Sequence, residues 1–73
     1  MFIKLEVLVS QRMYENHALH EPNDDYIRFK DIGKKYITLF SMNFNTLDEC
    51  IDYCKRVYAS VIEHEKYRFV IYP

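Results

Sequence analysis

TLDECIDYCKRVYASVI, residues 46–62, decides how the rest of this 73-residue chain must fold. At about 100° per residue, Leu47, Cys50, Ile51, Cys54, Val57, Tyr58, Val61 and Ile62 fall in one stripe, with Asp48, Glu49, Asp52, Lys55, Arg56, Ser60 and Glu63 outside it. Asn45 or Thr46 caps the start, and Glu49 stands three residues after the Thr46 hydroxyl, the spacing of a capping box. Asp48 and Glu49 also place negative charge at the positive end of the helix dipole. The stretch therefore predicts one continuous amphipathic helix, and its single apolar stripe needs a partner layer.

The flanking segments supply strands. Tyr67–Tyr72 alternates, with Tyr67, Phe69 and Ile71 on one side and Arg68, Val70 and Tyr72 on the other. Before the helix, Tyr36–Met42 has Ile37, Leu39 and Ser41 facing one way and Tyr36, Thr38, Phe40 and Met42 the other, so neither side is plainly the wet one. Residues 26–31 alternate as well, opposing Ile27 and Phe29 to Tyr26, Arg28 and Lys30, and Asp31-Ile32-Gly33-Lys34 reads as a turn at the only glycine. Residues 2–9 alternate best, with Ile3, Leu5, Val7 and Val9 opposite Phe2, Lys4, Glu6 and Leu8. Between this strand and residue 25 the pattern fails, apart from a short helical turn near Met13 and Tyr14. The expected fold is an α+β two-layer sandwich, β-β-β-α-β, with one amphipathic helix on a mostly antiparallel sheet. If the last two strands share that sheet, the helical crossover makes them parallel.

One helix covers one side of a sheet. The other side then carries Phe2, Leu8, Tyr26, Tyr36, Phe40, Met42 and Tyr72 with no second layer in so short a chain, and an apolar surface of that kind marks a contact site. The expected partner-binding residues are Tyr26, Arg28, Tyr36, Phe40, Met42, Arg68 and Tyr72, the rings as anchors and the two arginines as binders of acidic groups. The bland alternative is that residues 10–25 fold back as a lid, with Met13, Tyr14 and Leu19 over the rings.

Composition narrows the class. Residues 1–73 are expected to form a single domain near the lower size limit for a self-sufficient core, but 49% apolar and 16% aromatic residues are ample for collapse. Ten Lys and Arg against eleven Asp and Glu give a formal charge of −1, so no nucleic-acid footprint is written into the bulk composition. Cys50 and Cys54, four apart on a helix, cannot easily reach disulfide geometry, and reduced thiols in a cytoplasmic setting are expected. Charges at Lys4 and Glu6 interrupt the apolar stretch a signal peptide needs, and no run approaches a membrane span. Phe, Tyr, Met, Ile, Asn and Lys total 32 residues against nine for Gly, Ala, Arg and Pro, the usage of an AT-rich genome such as a phage or a low-GC bacterium.

Constellations with chemistry are sparse. His17, His20, Cys50 and Cys54 make a legitimate zinc donor set on paper, but both cysteines lie in the apolar stripe, where a thiol packs as a small hydrophobe, so no metal is expected. Asp24, Asp25, Asp31 and Glu15 have nothing to position them for acid–base work. No phosphate-cradling loop or activated nucleophile is present in the sequence, and neither an enzymatic activity nor a cofactor is expected.

Asp25-Tyr26-Ile27-Arg28-Phe29-Lys30-Asp31-Ile32-Gly33, followed after a strand by Asn45-Thr46-Leu47-Asp48-Glu49-Cys50-Ile51, resembles the small HicB-type antitoxin domain across about half the chain. That resemblance implies a β-β-β-α-β order and a protein that works by binding and masking a partner. The reading is a small non-enzymatic protein-binding module, an inhibitor or regulator of a larger protein, of the anti-defence type that phages and mobile elements carry, such as an anti-CRISPR. Its partner is a protein or a second copy, with no membrane. The alternative is an antitoxin-like or nucleic-acid-binding regulator using the aromatic and basic residues of the sheet.

Overall fold

The structure is a computed structural model that describes residues 1–17 and 27–72, leaving aside the side chain of His17. Strand β1 (Phe2–Leu8) leads into helix α1 (Gln11–His17); a 3-10 turn (Phe29–Asp31) precedes strand β2 (Tyr36–Asn43); helices α2 (Leu47–Val57) and α3 (Ala59–His64) lead to strand β3 (Tyr67–Tyr72). The strands form one antiparallel sheet in the order β2-β1-β3. The α+β two-layer architecture stands as expected. Because β2 and β3 are each antiparallel to β1, they run parallel to one another, and the helical crossover between them straddles β1.

The clean alternation of β1 places it in the middle. Ile3, Leu5 and Val7 have no exposed surface, and Val9 just beyond has almost none. The helices divide the space above them. Ile3, Leu5, Phe40, Cys50 and Cys54 make one buried cluster beneath α2, and Val7, Val9, Met13, Ile27 and Ile37 make another beneath α1. Leu39 packs against both.

Strand β2 departs from its expected facing. Its pairing with β1 runs Ile3 to Met42, Lys4 to Ser41 and Leu5 to Phe40, then shifts so that Glu6 meets Thr38 and Val7 meets Ile37. Leu39 is the additional residue of a β-bulge, and one such residue reverses the facing of everything beyond it. Phe40 and Met42, expected on the outer face, therefore lie on the helix side, Phe40 only 9% exposed and ringed by Phe44, Tyr53 and Tyr58 at centroid distances of 5.6–6.0 Å. Ser41 and Asn43 take the outer positions instead.

Two further differences have local causes. The strand expected over residues 26–31 is absent from the described part, 27–31: Asp31 draws the chain into a tight turn, its carboxylate Oδ2 accepting the Arg28 N–H at 3.1 Å while the Asp31 N–H donates to the Arg28 carbonyl at 2.9 Å. The strand order implied by the HicB-type resemblance goes with it. Gly33 does take the positive φ expected of it, at 74°. The short helical turn near Met13 is a full helix, because the Ser10 hydroxyl accepts the Met13 N–H at 3.1 Å and its carbonyl accepts the Tyr14 N–H at 2.9 Å. Met13 and Tyr14 thus pack on the helix side and are no lid for the outer face, while Leu19 lies outside the described residues.

The long helix starts as expected, Thr46 Oγ1 accepting the Glu49 N–H at 3.2 Å, although the Glu49 carboxylate returns to the Asn45 N–H rather than to that of Thr46. It breaks at Tyr58, whose φ of −120° and ψ of 36° leave the helical region. The break reorients the last turns, so that Ile62 packs on the cluster under α2, Val61 on the cluster under α1, and Val57 is left exposed.

The bulge gives the first testable outcome. Phe40→Ala should cost about 3–5 kcal/mol in urea or thermal unfolding, the range for a large aromatic side chain lost from a core. Thr38→Ala, two residues away on the outer face, should change stability by no more than about 0.5 kcal/mol.

Candidate functional site

With Phe40 buried in the core and Met42 packed against it on the helix side, the outer face is a smaller and more polar surface. Strand β1 contributes Phe2, Lys4, Glu6 and Leu8; their neighbours are Asn43, Ser41, Thr38 and Tyr36 on β2, and Tyr72, Val70 and Arg68 on β3. No described residue forms a layer over this face.

Its two ends differ in character. At one end Arg68 reaches across β1, its Nε donating to Glu6 Oε1 at 2.8 Å and its guanidinium carbon 3.7 Å from the centre of the Tyr36 ring. The ion pair is partly exposed and contributes about 0.2–1 kcal/mol, with a comparable amount from the cation–π contact. The larger consequence is geometric: Arg68 is held flat and its charge is matched, so it does not stand free to seek an acidic partner. At the other end Phe2 and Tyr72 are register partners with ring centroids 6.0 Å apart, 41% and 40% exposed, and Lys4 Nζ lies 5.6 Å from the Tyr72 ring centre.

The seven expected contact residues are therefore not one surface. Tyr36, Arg68 and Tyr72 share the outer face, Tyr72 at the apolar end and the other two in the locked pair. Phe40 and Met42 are on the helix side, and Tyr26 lies outside the described residues. Arg28 stands off the sheet beside the 3-10 turn, 3.6 Å from Asp31 Oδ2. The backbone N–H of Arg28, then the charges of Arg28 and Lys35, hold the Asp31 carboxyl below the usual carboxylate range even though partial burial opposes them. Residue alternation did not single out Phe2 as an anchor. The signal that finds it is register: only once β1 and β3 are paired does Phe2 meet Tyr72.

Elsewhere the chemistry is quiet. Cys50 and Cys54 are free and fully buried, and burial raises both thiols, Cys54 to about 12, so neither is a thiolate near neutral pH. They pack as core residues, and no cluster suited to a metal ion occurs among the described residues, His20 lying outside them. A cleft of about 170 Å³ lies between α1 and α3, lined by Val7, Met13, Leu39 and Val61. Arg12 and Glu65 also line it, 3.9 Å apart, and Arg12 Nη2 donates to Ser60 Oγ at 3.4 Å, which ties the two helices together. No described helix is long and apolar enough to cross a membrane.

No family model, no curated protein and no solved structure matches this chain.

Asp31 gives a pH-dependent outcome. Its folded-state pKa is depressed, so its contribution to stability is present above the unfolded value of about 3.8 and is lost as pH falls through the lower folded value. Asp31→Asn should melt below the wild type at pH 7, with the difference closing as pH is lowered below about 4.

Proposed function

We propose that the protein is a non-enzymatic binding module that acts by occupying the surface of a larger protein, as an inhibitor or regulator, and that the Phe2–Tyr72 end of the outer face is its anchor. One observation carries this reading. Two aromatic rings from neighbouring strands stand side by side, each about 40% exposed, with Lys4 against the Tyr72 ring.

Rings held by two paired strands lose little conformational freedom on binding, and a compact aromatic patch with a charged edge is the usual composition of an interface centre. Lys4 on that edge favours an acidic or carbonyl-rich rim on the partner. A nucleic-acid function draws less support from the same face, because Arg68 is matched by Glu6 and Arg28 by Asp31, away from the sheet.

The test uses the immobilised protein and lysate from its host, with Phe2→Lys/Tyr72→Lys as the surface variant and Thr38→Lys as a control on the same face. The reading expects a partner retained by the wild type and the control and lost by the double variant. Equal retention by all three would contradict it.

A further inference from the structure

Among the described residues the sheet has two open edges, and they are unlike. The β2 edge is interrupted by the bulge at Leu39 and carries Thr38, Ser41 and Asn43, all exposed; bulges and polar residues are the ordinary means of preventing strand addition. The β3 edge has neither protection. Tyr67–Tyr72 pairs with β1 without irregularity, is apolar or aromatic at every position but one, and is flanked by Lys66 and Pro73 rather than interrupted. The one charge, Arg68, is drawn inward across β1 to Glu6 and Tyr36, away from the open side. The helix layer also stops short of this strand, leaving Tyr67 37% and Ile71 46% exposed on the helix side.

The direction of the unpaired backbone groups follows from the ladder. The Leu8 N–H donates to the Lys66 carbonyl at 2.8 Å, which makes that pair a hydrogen-bonded one. By the alternation of antiparallel pairs, Arg68, Val70 and Tyr72 also turn their N–H and C=O groups toward β1, and Tyr67, Phe69 and Ile71 turn theirs to the open edge.

We infer that β3 pairs antiparallel with β3 of a second copy, joining two sheets into one of six strands about a two-fold axis at Phe69. In that register Phe69 faces its own mate, Tyr67 faces Ile71 of the other copy, and all three outward residues exchange hydrogen bonds, about six in total at two per hydrogen-bonded pair. The helix-side contacts join Tyr67 to Ile71 and ring to ring, covering the part of β3 that the helices leave bare. On the outer face Val70 meets the stem of Arg68 and Lys66 meets Tyr72, so no like charges stand opposite each other. A net charge of −1 per copy adds little long-range repulsion. Because the pairing uses both β3 edges and leaves only the bulged, polar β2 edges, assembly closes at two copies. The proposal extends the protein-contact reading to a named occupant at another surface. It is tested with the purified protein alone, so it can fail while the reading of the Phe2–Tyr72 end stands.

Two measurements decide it. In sedimentation equilibrium at tens of micromolar the wild type should show about twice its 8.9 kDa monomer mass, dissociating on dilution. Ile71→Pro removes an N–H that faces the open edge and none from the β1 ladder, and Ile71→Lys puts a charge on the same edge. Each should keep the far-ultraviolet circular dichroism of the wild type and raise the dissociation constant on the order of tenfold or more. Amide hydrogen exchange on the wild type needs no variant: Tyr67, Phe69 and Ile71 should be protected at high concentration and exchange rapidly on dilution, with Arg68, Val70 and Tyr72 protected throughout. A wild type that stays monomeric to millimolar concentration, or a dimer whose Tyr67, Phe69 and Ile71 amides stay unprotected, would overturn the proposal.

Discussion

The structure depends on one strand lying between two others. With β1 in the middle, Ile3, Leu5 and Val7 are covered by both helical clusters, and no other element has its apolar side so completely removed from water. At roughly 25 cal/mol per Å² of apolar surface, this burial is the main favourable term available to so short a chain. It also dictates everything on the back of the sheet. Once those side chains point at the helices, Phe2, Lys4, Glu6 and Leu8 must point away, and every outer contact is set by which β2 and β3 residues stand beside them.

Much of this was legible in the sequence. Alternation at residues 2–8 and 67–72 gave the correct faces of β1 and β3, and the Thr46 hydroxyl with Glu49 gave the helix start. What misled was a rule that holds only for unbroken pairing. Residues 36–42 alternate on paper, yet Leu39 adds one residue and sends Phe40 and Met42 inward; nothing in the seven residues taken alone announces this. The reason is tertiary, since the bulge lets Ile37, Phe40 and Met42 all face the helices, opposite Val7, Leu5 and Ile3 of β1. The break at Tyr58 is similar: the 3.6-residue stripe continues through it, but the packing divides between two clusters and the helix turns to serve both. At residues 27–31 a local bond won over alternation, the Asp31 carboxylate holding the Arg28 N–H and closing a turn.

The candidate site was legible in part. An uncovered sheet face was foreseeable from the count of helices, and Tyr36, Arg68 and Tyr72 do lie on it. Its composition was not foreseeable, because removing Phe40 and Met42 and locking Arg68 onto Glu6 and Tyr36 turns a broad aromatic surface into a small apolar end and a closed polar end. The anchoring pair of Phe2 and Tyr72 is a product of strand register. The bare β3 edge also needed the strand order, since β3 is an edge strand only because β1 is central.

The register of β1 against β2 is the claim on which this account turns, and cross-strand nuclear Overhauser effects read it directly. In non-hydrogen-bonded pairs of an antiparallel ladder the Cα atoms approach to about 4.5 Å, close enough for strong Hα–Hα contacts. The bulged register requires such contacts between Lys4 and Ser41 and between Glu6 and Thr38. A contact between Glu6 and Leu39 in place of the second would mean an unbroken ladder, with Phe40 and Ile37 on opposite faces, and would contradict the account.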